Sequence, residues 1–390
     1  MTTEAKTKSG MKIPVGPIHP ALEEPLHFMF TVDGERIIDV DFRLGYNHRG
    51  IEKLMESKDF NQGSYLAEHI CGICSYTHSC CYVQNVEKIG SVEVPPRARY
   101  VRTIVCEMER VHSHLLWAGI AGEEIGHKSL FMYAMKAREL IMDSLEEITG
   151  NRVNHGINRV GGVRYPIESG HVGRLIERLT ELYKRTEYLE KIFLKDPIVE
   201  KRVAGVGVLT KEEAKKFCTV GPTARASGVD IDVRRDDPYF AYGELDFDVI
   251  TWDSGDVLGR AAVRILELKE SIKIIEQALR QMPGGPFRND IWKIPKGEAI
   301  SRTEAPRGED LHYMRTEGGN KPTRYKVRTP TLANIVSVPA MFKDAQIADI
   351  PIIVASIDPC IGCMDRVSFI DERGTNRYVS FRDLRGIRRK

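Results

Sequence analysis

The 390-residue chain lacks any long apolar run. The best stretch, Ile350 to Ile357, falls well short of the ~20 residues a membrane helix needs. Pro351 interrupts it, so it reads as a buried segment. A role at a membrane would therefore depend on other subunits as anchors. An excess of one charge is also missing: 57 Lys and Arg against 55 Asp and Glu leave a net charge of +2, which argues against nucleic acid as a partner. No secretory signal opens the sequence, so its eight cysteines are expected in a reducing cytoplasm, where thiols serve metals more than disulfides. Internal repeats are absent. With 42% hydrophobic and 29% charged residues the chain can bury a large core, and its length alone suits about two or three domains.

What the chain does have is two Cys-x-x-Cys pairs at opposite ends, Cys71-Gly72-Ile73-Cys74 and Cys360-Ile361-Gly362-Cys363, the second introduced by Asp358-Pro359. Folded together, they would converge four thiolates on one buried point, a soft-ligand site suited to nickel, iron or zinc. Structural zinc is the plainest reading of four such cysteines. Zinc ribbons close short loops, however, and a core of this size has little need of a metal staple. Neither pair has the strand-to-helix context of a thioredoxin-like motif. A metal-centred enzyme leads, and zinc stays open.

The periodicities predict a mainly α fold with a small α+β part. Alternation from Phe28 to Asp41 around Asp33-Gly34 predicts an N-terminal β-hairpin, within about 25–45. Helical spacing of Val101, Ile104, Val105, Met108, Val111, Leu115 and Leu116 predicts a helix over 97–119. Further helices are expected near 130–149, stopped by Gly150, near 170–194, and near 256–282, stopped by Pro283-Gly284-Gly285. These make a helical bundle core over about 95–285. Gly, Pro and Asp enrichment over 205–250 and 284–329 predicts long ordered loops beside the site. The expected architecture is one continuous unit, 1–390, with both cysteine pairs meeting at the bundle core.

Around the cysteines, His69-Ile70-Cys71-Gly72-Ile73-Cys74-Ser75-Tyr76-Thr77-His78 and Asp358-Pro359-Cys360-Ile361-Gly362-Cys363-Met364-Asp365-Arg366 resemble the two cysteine signatures of the large subunit of nickel-iron hydrogenases. Gly16-Pro17-Ile18-His19-Pro20, Gly45 to Lys53, Val220 to Arg225 and Glu304-Ala305-Pro306-Arg307-Gly308-Glu309 resemble its energy-converting, membrane-bound branch, which is related to the quinone-site subunit of complex I. The motifs run in family order from residue 16 to 366, covering nearly the whole chain.

The resemblance implies roles. Cys71 and Cys360 would be terminal nickel ligands, and Cys74 and Cys363 would bridge nickel to an iron carrying carbon monoxide and cyanide. Cys360 is the expected protonatable sulfur. Arg307, otherwise a candidate for an ordinary ion pair, would stand over the open face of the metals with Asp358 as its carboxylate partner. Thr331 either caps a helix or matches the family residue that hydrogen-bonds an iron-bound cyanide. Glu24, beside Glu23, matches the first proton acceptor of the membrane-bound relatives. His48 and Glu52 fall in a segment similar to the quinone-site loop and are read as coupling or supporting residues, against simple packing. Cys80, Cys81, Cys106 and Cys218 have no partner spacing and are expected to be small buried hydrophobes.

Many family members lose a C-terminal tail after a basic residue placed like Arg366. Here Val367 to Lys390 follow it, either as a removable extension or as a permanent tail; alternation around Gly374, like a hairpin, favours the latter. No cysteine set beyond the four exists to hold a cluster, so a small subunit with an iron-sulfur cluster is required, reached indirectly by ferredoxin. By resemblance, antiporter-like and anchor subunits would hold this peripheral chain on the cytoplasmic side of the membrane. Two other readings remain: a complex I-like subunit reducing quinone or a sulfur substrate, and a zinc-stabilised scaffold.

Overall fold

The computed structural model describes residues 10–290, 293–364 and 366, and the backbone of 369–370 and 376–377. The first sheet is antiparallel, β1 (Met11–Val15), β2 (His27–Asp33) and β3 (Arg36–Arg43), paired in that order. Gly34 has φ 60°, the left-handed turn the Asp-Gly signal predicts between β2 and β3. Strand alternation turns Phe28, Phe30 and Val32 into the core, where Phe30 meets Phe342 edge-on at 5.0 Å between ring centroids. The sequence-predicted hairpin is therefore present, with β1 added at its edge. The connection from β1 to β2 carries Glu23 and Glu24.

Two short helices follow, α1 (Ile51–Met55) and α2 (Phe60–Glu68), then α3 (Ser75–Gly90). The bundle consists of α4 (Pro96–Glu124), α5 (Lys128–Thr149), α6 (Ser169–Lys195) and a later long helix. A minor hairpin, β4 (Asn158–Arg159) and β5 (Gly162–Val163), precedes α6. Next come α7 (Pro197–Val203), α8 (Lys211–Lys216), α9 (Gly221–Arg225) and α10 (Val233–Asp236), and then the long α11 (Val257–Gln281). Each long helix lies where its spacing predicts. Gly150 closes α5 in the left-handed conformation, and the Asp256 side chain caps α11 by accepting from the Gly259 N–H at 2.8 Å. α4 packs on both α5 and α11, and is buried nearly all round.

Several charged residues inside the bundle are paired. Arg225 meets Glu267 at 2.7 Å and Glu304 at 2.8 Å, and Arg234 meets Asp232 at 2.7 Å and Glu107 at 3.2 Å. Buried pairs of this kind add little net stability, but losing one partner strands a charge, so they fix how α4, α9, α10 and α11 meet. Gly221, at φ 64°, lies against the Arg307-Gly308 backbone; a Cβ there would come within 2.3 Å of the Gly308 Cα. Only glycine permits that approach.

One expectation is overturned. Most of 284–329 is a second antiparallel sheet, β6 (Ile294–Ala305), β7 (Gly308–Gly319) and β8 (Arg324–Arg328), in place of long loops. Its inward row includes Ser301, Thr303, Asp310, His312 and Thr316, so the two-residue period is present but mostly polar, and an apolar pattern search misses it. The loop expectation holds better over 205–250, where only short helices interrupt the chain. After α12 (Pro330–Asn334), α13 (Val338–Met341) and α14 (Ile350–Ser356), a single helical turn at Ile361–Cys363 carries the second cysteine pair. Phe369–Ile370 pairs antiparallel with Asn376–Arg377, as the tail's alternation predicts. The turn at Gly374 and the remaining tail lie outside the described residues.

Candidate metal centre

Cys71 lies in the loop between α2 and α3, and Cys74 immediately precedes α3. Loop curvature turns the Ile73 and Cys74 N–H groups onto the Cys71 sulfur, each at 3.2 Å. α14 docks on α4, with the Trp117 indole donating to the Ala355 carbonyl at 2.8 Å, and delivers Cys360 and Cys363 to the same point. All four cysteines are buried. Sulfur separations are 3.2 Å for Cys71–Cys360, 3.7 Å for Cys74–Cys363 and 2.6 Å for Cys360–Cys363. None is a disulfide, whose sulfurs lie about 2.05 Å apart. The two ends of the chain thus meet as the paired spacing requires.

Arg307 occupies the turn between β6 and β7 and is buried. Its guanidinium donates to the Asp358 carbonyl at 2.6 Å, the Asp358 carboxylate at 2.5 Å and the Ser113 hydroxyl at 3.2 Å. Asp358 adopts φ 55°, sparsely populated for a residue with a side chain, and its second carboxylate oxygen is buried without a hydrogen-bond partner. Burial works against charge on the thiols and holds Cys363 well above its ordinary value. Cys71 alone is drawn well down: burial opposes this, but neighbouring thiols and the Arg307 charge prevail. One guanidinium cannot neutralise four adjacent thiolates, so this donor set fits soft transition-metal ions that bring their own charge.

Glu24 accepts the Gly362 N–H at 2.8 Å, between the two cysteines of the second pair. Gly362 allows this approach, since a Cβ there would lie 3.0 Å from a Glu24 oxygen. Burial raises the Glu24 carboxyl, partly offset by the Gly362 N–H. Glu23 rises to about 7, first through desolvation and then through Asp358, although its exposed side chain lets solvent temper that rise. Thr331 is not a helix cap. Thr329 caps α12, while the Thr331 hydroxyl accepts the Cys360 N–H at 3.1 Å.

Glu52 is buried, accepting the Val327 N–H at 3.0 Å and pairing with Lys326 and, at 2.9 Å, Arg366. His48 is exposed and lies in the turn between β3 and α1. Cys80, Cys81 and Cys106 are buried as expected, but Cys218 is exposed, because the chain reverses there at φ 53° after α8.

Two supporting residues escape a reading of the sequence. Arg49 donates to the Ile70 carbonyl at 2.7 Å and the Gly362 carbonyl at 2.8 Å, clamping both cysteine loops together. Its signal is its place beside His48 in the Gly45 to Lys53 motif. Glu109, on α4, accepts the Tyr76 and Thr77 N–H groups at 2.6 Å and 3.0 Å, satisfying the start of α3 just after Cys74. Nothing in a helical spacing pattern marks it.

Residues 49–118 match the nickel-dependent hydrogenase family, and residues 124–294 and 289–366 match the respiratory-chain NADH dehydrogenase 49 kDa subunit. The chain is 42% identical to the membrane-bound hydrogenase subunit alpha of Pyrococcus furiosus, over 97% of this chain and 92% of that one. The chain belongs to this family of hydrogenase and complex I large subunits. It is also 42% identical to the carbon monoxide-induced hydrogenase of Rhodospirillum rubrum, over 91% of this chain and 99% of that one. A solved structure of the membrane-bound sulfane sulfur reductase, an archaeal respiratory membrane complex, matches with a TM-score of 0.88 and 33% identity over 93% of this chain and 100% of that chain. One fold therefore serves several oxidoreductases. Among the described residues no helix is long and apolar enough to cross a membrane.

Proposed function

We propose that this chain is the catalytic subunit of a membrane-associated energy-converting hydrogenase, forming or oxidising dihydrogen reversibly. The observation that carries this reading is the convergence of all four paired cysteine sulfurs beside the buried Arg307–Asp358 pair. Cys71 and Cys360 would hold nickel terminally, and Cys74 and Cys363 would bridge it to iron bearing carbon monoxide and cyanide. That division of roles rests on the resemblance of the two motifs, and the sulfur separations of 2.6 to 3.7 Å leave all four within reach of one centre. When bound, such a centre supplies reversible heterolytic splitting of dihydrogen.

The protein's share is orientation and proton handling. The Cys360 sulfur accepts the proton, and Glu24, seated against Gly362, carries it away, with Glu23 the alternative carrier. Arg307, locked by three hydrogen bonds, presents a fixed guanidinium to the small substrate and keeps water out of that side. Thr331 holds the Cys360 backbone and could offer its hydroxyl to a cyanide ligand. His48 and Glu52 would serve coupling.

Residues 1–390 form one domain in this reading. Electrons would come through a small subunit with an iron-sulfur cluster, supplied by ferredoxin, and antiporter-like and anchor subunits would hold the chain on the cytoplasmic face and translocate ions. A quinone- or sulfur-reducing role is the second reading, favoured by the likeness to the sulfane sulfur reductase. Metal analysis of the purified complex separates the readings. Nickel with non-cluster iron supports hydrogenase, zinc alone supports a scaffold, and no metal at the cysteines supports the second reading.

A further inference from the structure

A second convergence of metal-ligating atoms lies where α3 crosses the second sheet. His78 Nδ1, on α3, is 2.9 Å from Asp310 Oδ2 and 3.0 Å from His312 Nε2, both on β7; His312 Nε2 is 3.0 Å from the same carboxylate oxygen. All three side chains are buried. Hydrogen bonds can occupy two edges of this triangle at most. Each ring nitrogen carries at most one hydrogen, which can lie along one edge only. Both rings lie within 3.0 Å of one Asp310 oxygen, yet neither nitrogen is well aligned to donate to it, and the other oxygen, Oδ1, is buried without a hydrogen-bond partner. Unpaired buried carboxylates are rare because ionised oxygen is so costly to remove from water.

The remaining ring nitrogens are placed as a metal site requires. A histidine that ligates through one nitrogen carries its hydrogen on the other and donates it to a nearby acceptor. His78 Nε2 lies 3.6 Å from the Cys74 sulfur, and His312 Nδ1 lies 2.5 Å from the Tyr325 hydroxyl. Spacing agrees too. Ligands about 2.1 Å from a shared ion are about 3.0 Å apart at the right angles of a facial two-histidine, one-carboxylate set, which suits ferrous iron, and about 3.4 Å apart in a zinc tetrahedron, which these side chains reach with a small outward shift.

We propose that His78, Asp310 and His312 bind a divalent first-row metal ion, zinc or ferrous iron, at a site separate from the four cysteines. Two imidazoles and one carboxylate are the donor set such borderline ions take. The ion neutralises Asp310, ties α3 to β7 and fixes His78 so that its other N–H faces the Cys74 sulfur. Burial lowers both histidines and prevails at His312, whereas at His78 the Asp310 charge outweighs it. The rival occupant is therefore a proton on His78.

Anomalous diffraction from crystals of the purified complex, collected above the zinc and iron absorption edges, tests the assignment whatever the cysteines hold. An anomalous peak inside the triangle is expected above one edge. Elemental analysis should show that Asp310→Asn and His312→Gln each lose about one equivalent of that metal per chain while keeping nickel. No peak in the wild-type triangle above either edge leaves the proton in place and overturns the proposal. So does a peak that survives at full height in both variants. If a variant fails to fold, the wild-type peak decides alone.

Discussion

The two three-stranded sheets reach the same cysteine cluster from different starting points. β1–β3 turns Phe28, Phe30 and Val32 inward, while β6–β8 turns Ser301, Thr303, Asp310, His312 and Thr316 inward. Each sends one connection to the site: Glu23 and Glu24 between β1 and β2, Arg307 between β6 and β7. The first sheet is built on hydrophobic burial and holds its carboxylates out on a loop. The second also buries Met314, Tyr325 and Val327, but gives much of its inward row to a seam of hydrogen bonds with α3, including Cys81 with Thr303 at 3.1 Å and Asn85 with the His312 carbonyl at 3.0 Å. Such seams specify position more than they add stability, since each net hydrogen bond is worth only about 1 kcal/mol. Stability and chemistry should therefore respond to different substitutions.

The largest effect is expected at the sulfurs that both sheets serve. If Cys74 and Cys363 bridge the two metals as proposed, Cys74→Ser or Cys363→Ser puts hard oxygen in place of shared sulfur, and nickel content and hydrogen evolution should fall to background. Wild-type metal content in either variant removes the bridging assignment. On the first sheet's loop, Glu24→Gln keeps shape but cannot ionise. Nickel should stay, while hydrogen evolution and hydrogen–deuterium exchange both collapse. If exchange fails in Glu23→Gln and survives in Glu24→Gln, the neighbouring carboxylate is the carrier.

On the second sheet's turn, Arg307→Lys should keep the metals and lower turnover by about a hundredfold, since an ammonium cannot copy the planar fork. Near-normal turnover would take Arg307 out of the active site. Beneath the first sheet, Phe30→Ala should destabilise the fold by about 3–5 kcal/mol. Denaturant midpoints should drop while activity per folded molecule holds, and a loss of turnover without destabilisation would break the contrast between the sheets. The exposed Lys296→Ala, on the rim of β6, should leave the denaturant midpoint and the activity unchanged, because a surface ion pair with Glu317 contributes little.

Legibility followed the same division. The β2–β3 hairpin and the four long helices were readable because apolar residues marked their buried faces at periods of 2 and 3.6. The second sheet was hidden because its buried row carries Asp310 and His312 where an alternating pattern needs apolar residues. At the site, the cysteines and Arg307 were legible through motifs. Thr331 stood between a cap and a cyanide contact, because a threonine beside Pro330 can start a helix, and only the register of α12 hands the cap to Thr329. Arg49 and Glu109 act through backbone carbonyl and N–H groups of the cysteine loops, partners that no side-chain pattern reveals. Cys218 was misplaced because no spacing signals which cysteine falls at a chain reversal.

On the proposed function, the four cysteines hold nickel and iron with diatomic ligands, not zinc and not an empty thiol cluster. The infrared spectrum of the purified complex tests this most directly, because iron-bound carbon monoxide and cyanide absorb where protein does not. A nickel-iron centre should give one carbon monoxide band and accompanying cyanide bands that shift when the sample is reduced under dihydrogen and vanish in Cys363→Ser. A featureless spectrum from a nickel-replete, folded complex would contradict it.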